Sequence, residues 1–190
     1  MDVYLIRHGE TNWNKEKRLQ GRTDIPLNEE GLKQAQICAK ALPKNKFTRV
    51  ITSPLTRARQ TAEAIANELA LPIEVMEQFI ERSFGVAEGK TDDVIEELYP
   101  NNEIPELEPL NELIGRIKEG LDNIIQTSQK DSHIIIVAHG AVINRFVAHI
   151  AQQELGQATN TSLTHLTYDG NKWTVIEVNN RAYLNATLQL

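Results

Sequence analysis

Apolar positions along this chain follow two alternating rhythms. Short β-branched runs read as buried strands: Val3 to Ile6, "RVIT" from Arg49 to Thr52, and "HIIIVA" from His133 to Ala138. The last run is so continuously apolar that helices must cover both its faces. "PIEVM", Pro72 to Met76, is a shorter alternating strand. Between these runs the spacing changes to that of helices. Asn28 opens "NEEGLKQAQICAKAL". "SPLTRARQTAEAIANEL" carries an apolar stripe at Leu55, Ala58, Ala62, Ile65 and Leu69, with Ser53 as expected N-cap and Pro54 at the first helical position. Leu110 to Ile125 and "GAVINRFVAHIAQ" are helical too, and "SLTHLTYDGNKWTVIEV" predicts two strands joined around Asp169-Gly170-Asn171.

Strands alternating with helices predict an α/β fold: a three-layer α/β/α sandwich on a mainly parallel sheet with an antiparallel edge. Glu81 to Leu110 breaks the rhythm with two glycines and three prolines, and "EIPELEP" within it reads as an exposed acidic connection. With no repeat, low-complexity tract or linker, one domain over residues 1–190 is expected, with residues 82–110 as a lid or insertion.

Net charge narrows the partners. At -6 the chain has no basic surplus for nucleic acid or an acidic membrane. No apolar run approaches a membrane span and no basic, apolar leader opens the chain, so a cytoplasmic protein is expected. The single cysteine, Cys38, excludes an internal disulfide and a cysteine metal cluster. Nor is it a phosphatase nucleophile, because Lys44 stands where that chemistry needs an arginine.

Candidate chemistry sits where strands end, which is where open α/β sheets bind ligands. The first strand runs into Arg7, His8 and Gly9. The second is followed by Ser53-Pro54 and Arg57, and "HIIIVA" by His139 and Gly140. Side by side, these strands would bring two arginines, two histidines and two helix N-termini to one rim. That set suits a phosphoryl group: guanidinium forks match its oxygens, helix N-termini favour anions, and glycines at 9 and 140 permit close approach. A histidine there is placed to attack phosphorus.

"LIRHGETNWN", "GRTDIPLNEEGLKQA", "SPLTRARQTA", "ERSFGVAEG" and "VAHGAVIN" together resemble, in order, the motifs of the histidine phosphatase superfamily, the phosphoglycerate-mutase-like proteins. The resemblance spans nearly the whole chain. It implies that His8 is the nucleophile and forms a phosphohistidine, that Arg7 and Arg57 grip the phosphoryl oxygens, and that His139 donates to them. It makes Glu81 the general acid that protonates the leaving group and later deprotonates water. Arg57 fits its motif better than Arg59, and Glu81 better than Glu88; surface roles are expected for Arg59 and Glu88. Asn14, Gln20, Gly21 and Gly140 are implied substrate contacts, with Thr11 near. Trp13 is either a pocket wall or loop packing. His133, His149 and His165 have no motif support. No histidine pair has zinc spacing, and neither metal nor organic cofactor is implied.

A small phosphorylated metabolite is thus the expected substrate. After Glu81 the stretch "GKTDDVIEELYPNNEIPELEPLNE" is short and acidic, with Lys90 as its one base, whereas cofactor-dependent mutases carry a longer insertion with paired arginines there. The expected activity is phosphomonoester hydrolysis. Phosphoglycerate mutase activity and a weakly catalytic phospho-ligand binder are the alternatives, and oligomeric state, including a homodimer, is left open.

Overall fold

The computed structural model describes residues 1–101 and 103–181; the remainder of the expected domain, to Leu190, lies outside the described residues. Its strands are β1 (Asp2–Arg7), β2 (Arg49–Thr52), β3 (Ile73–Val75), β4 (His133–Ala138), β5 (Leu163–Tyr168) and β6 (Trp173–Asn180). Its helices are α1 (Asn12–Lys15), α2 (Glu29–Ala41), α3 (Thr56–Leu69), α4 (Asp92–Leu98), α5 (Leu110–Thr127) and α6 (Gly140–Ala151). The strands form one sheet in the order β3-β2-β4-β1-β5-β6. The first four are parallel, and β5 and β6 add the antiparallel edge that the hairpin signal predicted.

Alternation along the central strands builds two cores. Val3, Leu5, Ile134 and Ile136 pack on one face with Leu113, Ile117, Leu121 and Ile124 of α5 and Val142, Ile143 and Phe146 of α6. Tyr4, Ile6, Ile135 and Val137 pack on the other with Cys38 of α2 and Ala58, Ala62 and Ile65 of α3. Every residue from Ile134 to Ala138 is buried, as expected for a strand covered on both faces. Cys38 is one of these packed residues. No helix among the described residues is long and apolar enough to cross a membrane.

Register brings the strand ends together. Arg7 lies opposite Ala138, and Thr52 opposite Val137, so β1, β4 and β2 finish level. His8, His139 and Ser53 follow on three adjacent strands.

Three local expectations are corrected. α3 starts at Thr56, not Pro54, and its N-cap Leu55 offers no side-chain oxygen. Asp24 caps the helix from another loop, accepting from Thr56 N–H at 2.8 Å and Thr56 Oγ1 at 2.7 Å. The irregular segment contains a helix, α4, none of whose residues is buried; lacking an apolar stripe, it gave no periodic signal. The "EIPELEP" stretch is exposed at Glu103, Pro105 and Glu106, but Glu108 is buried.

Candidate active site

A cavity of about 360 Å³ opens at the carboxyl ends of β1, β2 and β4. Arg7, His8, Asn14, Gln20, Gly21, Arg57, Glu81 and Gly140 all line it. His139 lies just behind, wholly buried, its ring centred 5.2 Å from that of His8. Residues scattered from position 7 to 140 therefore meet in one place.

His8 is fixed by the turn that follows β1. Its Nδ1 lies 2.7 Å from the Gly9 carbonyl, an acceptor, so the proton sits on Nδ1 and the Nε2 lone pair is free. Burial first, then the guanidinium groups of Arg57 and Arg7, hold the imidazole well below its ordinary pKa, against the Gly9 hydrogen bond. The ring is neutral at physiological pH, as a nitrogen nucleophile must be.

Gly9 serves packing more than ligand access. A Cβ there would lie 2.5 Å from the carbonyl oxygen of Gly31, on α2. The expected close approach is thus to a neighbouring helix. At Gly140 a Cβ would make only ordinary contact, 3.6 Å from Arg7 Cζ.

The two guanidinium groups are anchored by backbone carbonyls. Arg7 Nη1 donates to Ala158 O at 2.7 Å. Arg57 is wholly buried and donates to Thr23 O at 2.9 Å and Gly21 O at 2.7 Å. The Nε of each is buried without a partner among the described residues, a donor held ready in a fixed fork. Gly21 can present its carbonyl because it sits at φ 55°, in the left-handed region.

Asn14 is held through its oxygen. Oδ1 accepts from Thr11 N–H at 3.1 Å and from Asn160 Nδ2 at 3.3 Å, and its amide nitrogen takes no part in these bonds. Gln20 Oε1 accepts from Thr11 Oγ1 at 2.9 Å, a bond in which its amide nitrogen likewise takes no part. Thr11 itself is a buried N-cap of α1. Trp13 packs on the loop at Gly89, where a Cβ would come within 3.1 Å of its ring, and it does not line the cavity.

Glu81 overturns one expectation about anion binding. The N-terminus of α6 does point into the site, but Glu81 occupies it: its carboxylate accepts from Ala141 N–H at 3.2 Å and Val142 N–H at 3.3 Å, and from Arg82 N–H at 2.9 Å. With Asp24 on α3, both helix N-termini expected to meet a ligand carry the protein's own carboxylates. Burial nevertheless dominates and raises the Glu81 pKa, against these hydrogen bonds and against Arg57 and Arg7.

Glu81 is carried on a stiff segment. Phe79, two residues before it, is wholly buried against α5, where Gly120 leaves room for the ring. Arg116 donates to the carbonyls of Gln78 at 2.8 Å, Ile80 at 2.6 Å and Glu81 at 3.1 Å, and to both oxygens of Glu108. Arg22 adds a bond to Glu81 O and another to Glu108.

Glu88 is not the solvated residue expected. Its carboxylate accepts from the backbone of Arg22, Thr23 and Phe84 and from the Thr23 hydroxyl, clipping the loop that anchors Arg57 to the segment that carries Glu81. Arg59 is exposed, as expected. His133 and His165 lie at the far end of the sheet, where His165 bonds Asp2 at 2.7 Å.

The outer cavity holds residues that were given no role from the motifs: Arg18, Arg82, Arg145, Asp92, Asn144, Glu154 and Gln157. Arg145 comes from α6 and Arg18 from the loop after α1, so reading the segment after Glu81 alone missed them. Lys90 donates instead to the Val86 carbonyl.

Against known proteins, a model of the histidine phosphatase superfamily (branch 1) matches residues 3–181. The chain belongs to that superfamily. This histidine phosphatase is 36% identical over 191 residues to an uncharacterized phosphatase, PhoE, of Bacillus subtilis (strain 168), covering 98% of each chain. It is 33% identical over 190 residues to a probable phosphoglycerate mutase, GpmB, of Photorhabdus laumondii, covering 91% of this chain and 87% of that one. A mycobacterial glucosyl-3-phosphoglycerate phosphatase solved with VO3 superimposes with a TM-score of 0.86 at 25% identity, covering 94% of this chain and 98% of that one. The expected fold and enzyme class are borne out.

Proposed function

We propose that the chain hydrolyses phosphomonoesters of small metabolites through a phosphohistidine at His8. The observation that carries this reading is His8 itself: neutral, its Nδ1 proton committed to Gly9 O, in one cavity with the guanidinium groups of Arg7 and the wholly buried Arg57 and with a carboxyl whose pKa is raised. In the first step the Nε2 lone pair forms an N–P bond and the P–O bond to the leaving group breaks. The Glu81 proton passes to the departing oxygen. In the second, water attacks phosphorus, its proton goes to the Glu81 carboxylate, and the N–P bond breaks, returning the lone pair to Nε2. Arg7, Arg57, His139 and the amides of Asn14 and Gln20 hold the phosphoryl oxygens while charge redistributes over them. Residues 82–110 act as the lid over the leaving group. The protein works in the cytoplasm.

His8→Ala tests this. The variant should keep its circular dichroism and lose turnover of an aryl phosphate, and radiolabel from phosphorylated substrate should be trapped on wild type only. Retained turnover or label in His8→Ala would remove His8 from the role.

Phosphoryl transfer between hydroxyls, as in a mutase, is the second reading. Arg18 and Arg145 favour it, because from outside the lid they add outer-cavity cations to Arg82 at its start. Incubation with 3-phosphoglycerate and 2,3-bisphosphoglycerate separates the two. Isomer exchange without free phosphate would establish the mutase.

A further inference from the structure

His8 and His139 face each other, yet different atoms hold their rings. The proton of His8 is committed at Nδ1. His139 is held at the other nitrogen: its Nε2 lies 2.6 Å from Ser53 Oγ, while Nδ1 is buried without a partner among the described residues. Both Ser53 and His139 are wholly buried, so neither borrows water to complete its bonding.

The direction of the Ser53–His139 bond decides what the pocket receives. Ser53 Oγ already accepts the Leu55 N–H, at 3.3 Å. The acceptor in reach of its hydroxyl proton is Nε2. If Nε2–H donated instead, the hydroxyl proton would be left unpaired in the interior, and Nδ1 would carry a bare lone pair where the mechanism proposed above needs a donor. If the hydroxyl donates, the His139 proton must sit on Nδ1, and both needs are met. The charged ring, with protons on both nitrogens, is opposed by burial and by Arg57, His8 and Arg7.

We infer that Ser53 is a positioning residue: its hydroxyl donates to His139 Nε2, fixes the Nδ1–H tautomer, and so makes His139 a neutral N–H donor to the phosphoryl group. The inference rests on the reading of His8 as nucleophile. The two imidazoles then share a tautomer and do opposite work. His8 spends its N–H on backbone and attacks through a lone pair; His139 spends its lone pair on Ser53 and donates through its N–H. Ser53 is available for this because Asp24, from another loop, caps α3 in its place.

Nitrogen-15 spectra of histidine-labelled protein test it, with His139 signals assigned by their loss in His139→Asn. The expected wild-type signature is a protonated, pyrrole-type Nδ1 and a pyridine-type Nε2. Ser53→Ala should disturb that signature and lower kcat on an aryl phosphate roughly 10- to 100-fold, the size that loss of an orienting partner has for metal-ligating imidazoles. Adding His139→Asn to Ser53→Ala should cost little more than His139→Asn alone. A wild-type Nε2–H tautomer would overturn the inference even if Ser53→Ala failed to fold. So would a folded Ser53→Ala with the wild-type signature and kcat within about twofold. Absence of any aryl phosphate hydrolysis in wild type would instead overturn the functional reading, leaving the tautomer measurement to stand by itself.

Discussion

Replacing Arg116 by alanine should damage stability and catalysis separately, and each effect can be worked from its contacts. The side chain is 15% exposed and that of its partner Glu108 is 7% exposed, so this is an interior ion pair. It is bidentate, with Nε to Oε1 at 2.8 Å and Nη2 to Oε2 at 3.0 Å. Truncation would leave Glu108 with the Ser83 N–H at 3.2 Å and with Arg22, whose side chain is 43% exposed. Removing one partner of a buried pair costs about 3–5 kcal/mol. Arg22 and water entering the truncated space offset part of this, and the freed carbonyls of Gln78, Ile80 and Glu81 add to it. The expected loss is about 3 kcal/mol, which for a chain of this size lowers Tm by roughly 6–12 °C. The pH dependence has a definite sign. Glu108 is held below its ordinary pKa by Arg116, against burial, so the pair stabilises above the unfolded value of 4.5 and that contribution fades as pH falls through the folded one. The wild-type advantage over Arg116→Ala should therefore shrink in acid.

The catalytic effect should carry a mark that lost stability would not produce. Arg116 does not line the cavity; it holds three carbonyls around Glu81. A displaced acid matters most where the leaving group needs its proton. Displacing a catalytic group by 1 Å can cost about 100-fold. Well below the variant Tm, kcat on an alkyl phosphate should fall roughly 10- to 100-fold, and on an activated aryl phosphate only a few-fold. Steady-state assays of both substrates, beside Glu81→Gln as the reference, read this directly. Equal losses on both would show that Arg116 does not act through Glu81, and a Tm within about 2 °C of wild type would refute the buried clamp.

Gly21→Ala should lose most activity and destabilise by about 1–3 kcal/mol, because φ is 55° and the new Cβ would lie 2.0 Å from Glu88 Oε1, displacing the carbonyl that anchors Arg57; urea unfolding and aryl phosphate assays check both. Acid should destabilise the protein through His8 and His139, whose folded pKa values lie well below 6.5. The unfolded chain takes up their protons first, so their contribution is complete above 6.5 and is lost as pH falls through it. Urea unfolding at pH 7.5 and 5 should show this loss reduced in His8→Gln/His139→Gln, and an identical pH slope would refute it.

What the sequence announced and what it hid differ in how far each residue depends on distant partners. Arg7, His8 and His139 directly follow apolar runs, so a strand reading places them at strand ends without tertiary knowledge. Arg57 was marked by its place just after the second strand, the motif choosing it over Arg59, whereas Glu81 came from motif resemblance alone, since nothing in its own periodicity marks it. The supports gave no signal. Arg116 lies on a helix whose apolar face explains its spacing, and Glu108 stands among acidic residues that are otherwise exposed. Their meeting requires α5 to pack beside the Glu81 segment. Two of the outer-cavity arginines, Arg18 and Arg145, were hidden similarly, being far from the acidic segment in sequence. Ser53 was visible but misassigned: a serine before proline and a helical run has the local form of an N-cap, and its partner lies 86 residues away.

The misreading of the helix N-termini is the most instructive, because the physics was sound and the anion was wrong. An N-terminus does attract negative charge, and α6 attracts that of Glu81. This seat suits a group that must act in both directions. Burial alone would favour the protonated acid and make the carboxylate costly after the leaving group departs. The N–H groups of Ala141, Val142 and Arg82 favour the carboxylate, at distances between 2.9 and 3.3 Å, and burial still outweighs them. The opposition narrows the gap between the two protonation states. That suits the role proposed for Glu81, which would release its proton to one oxygen and take the next from water, first as acid and then as base.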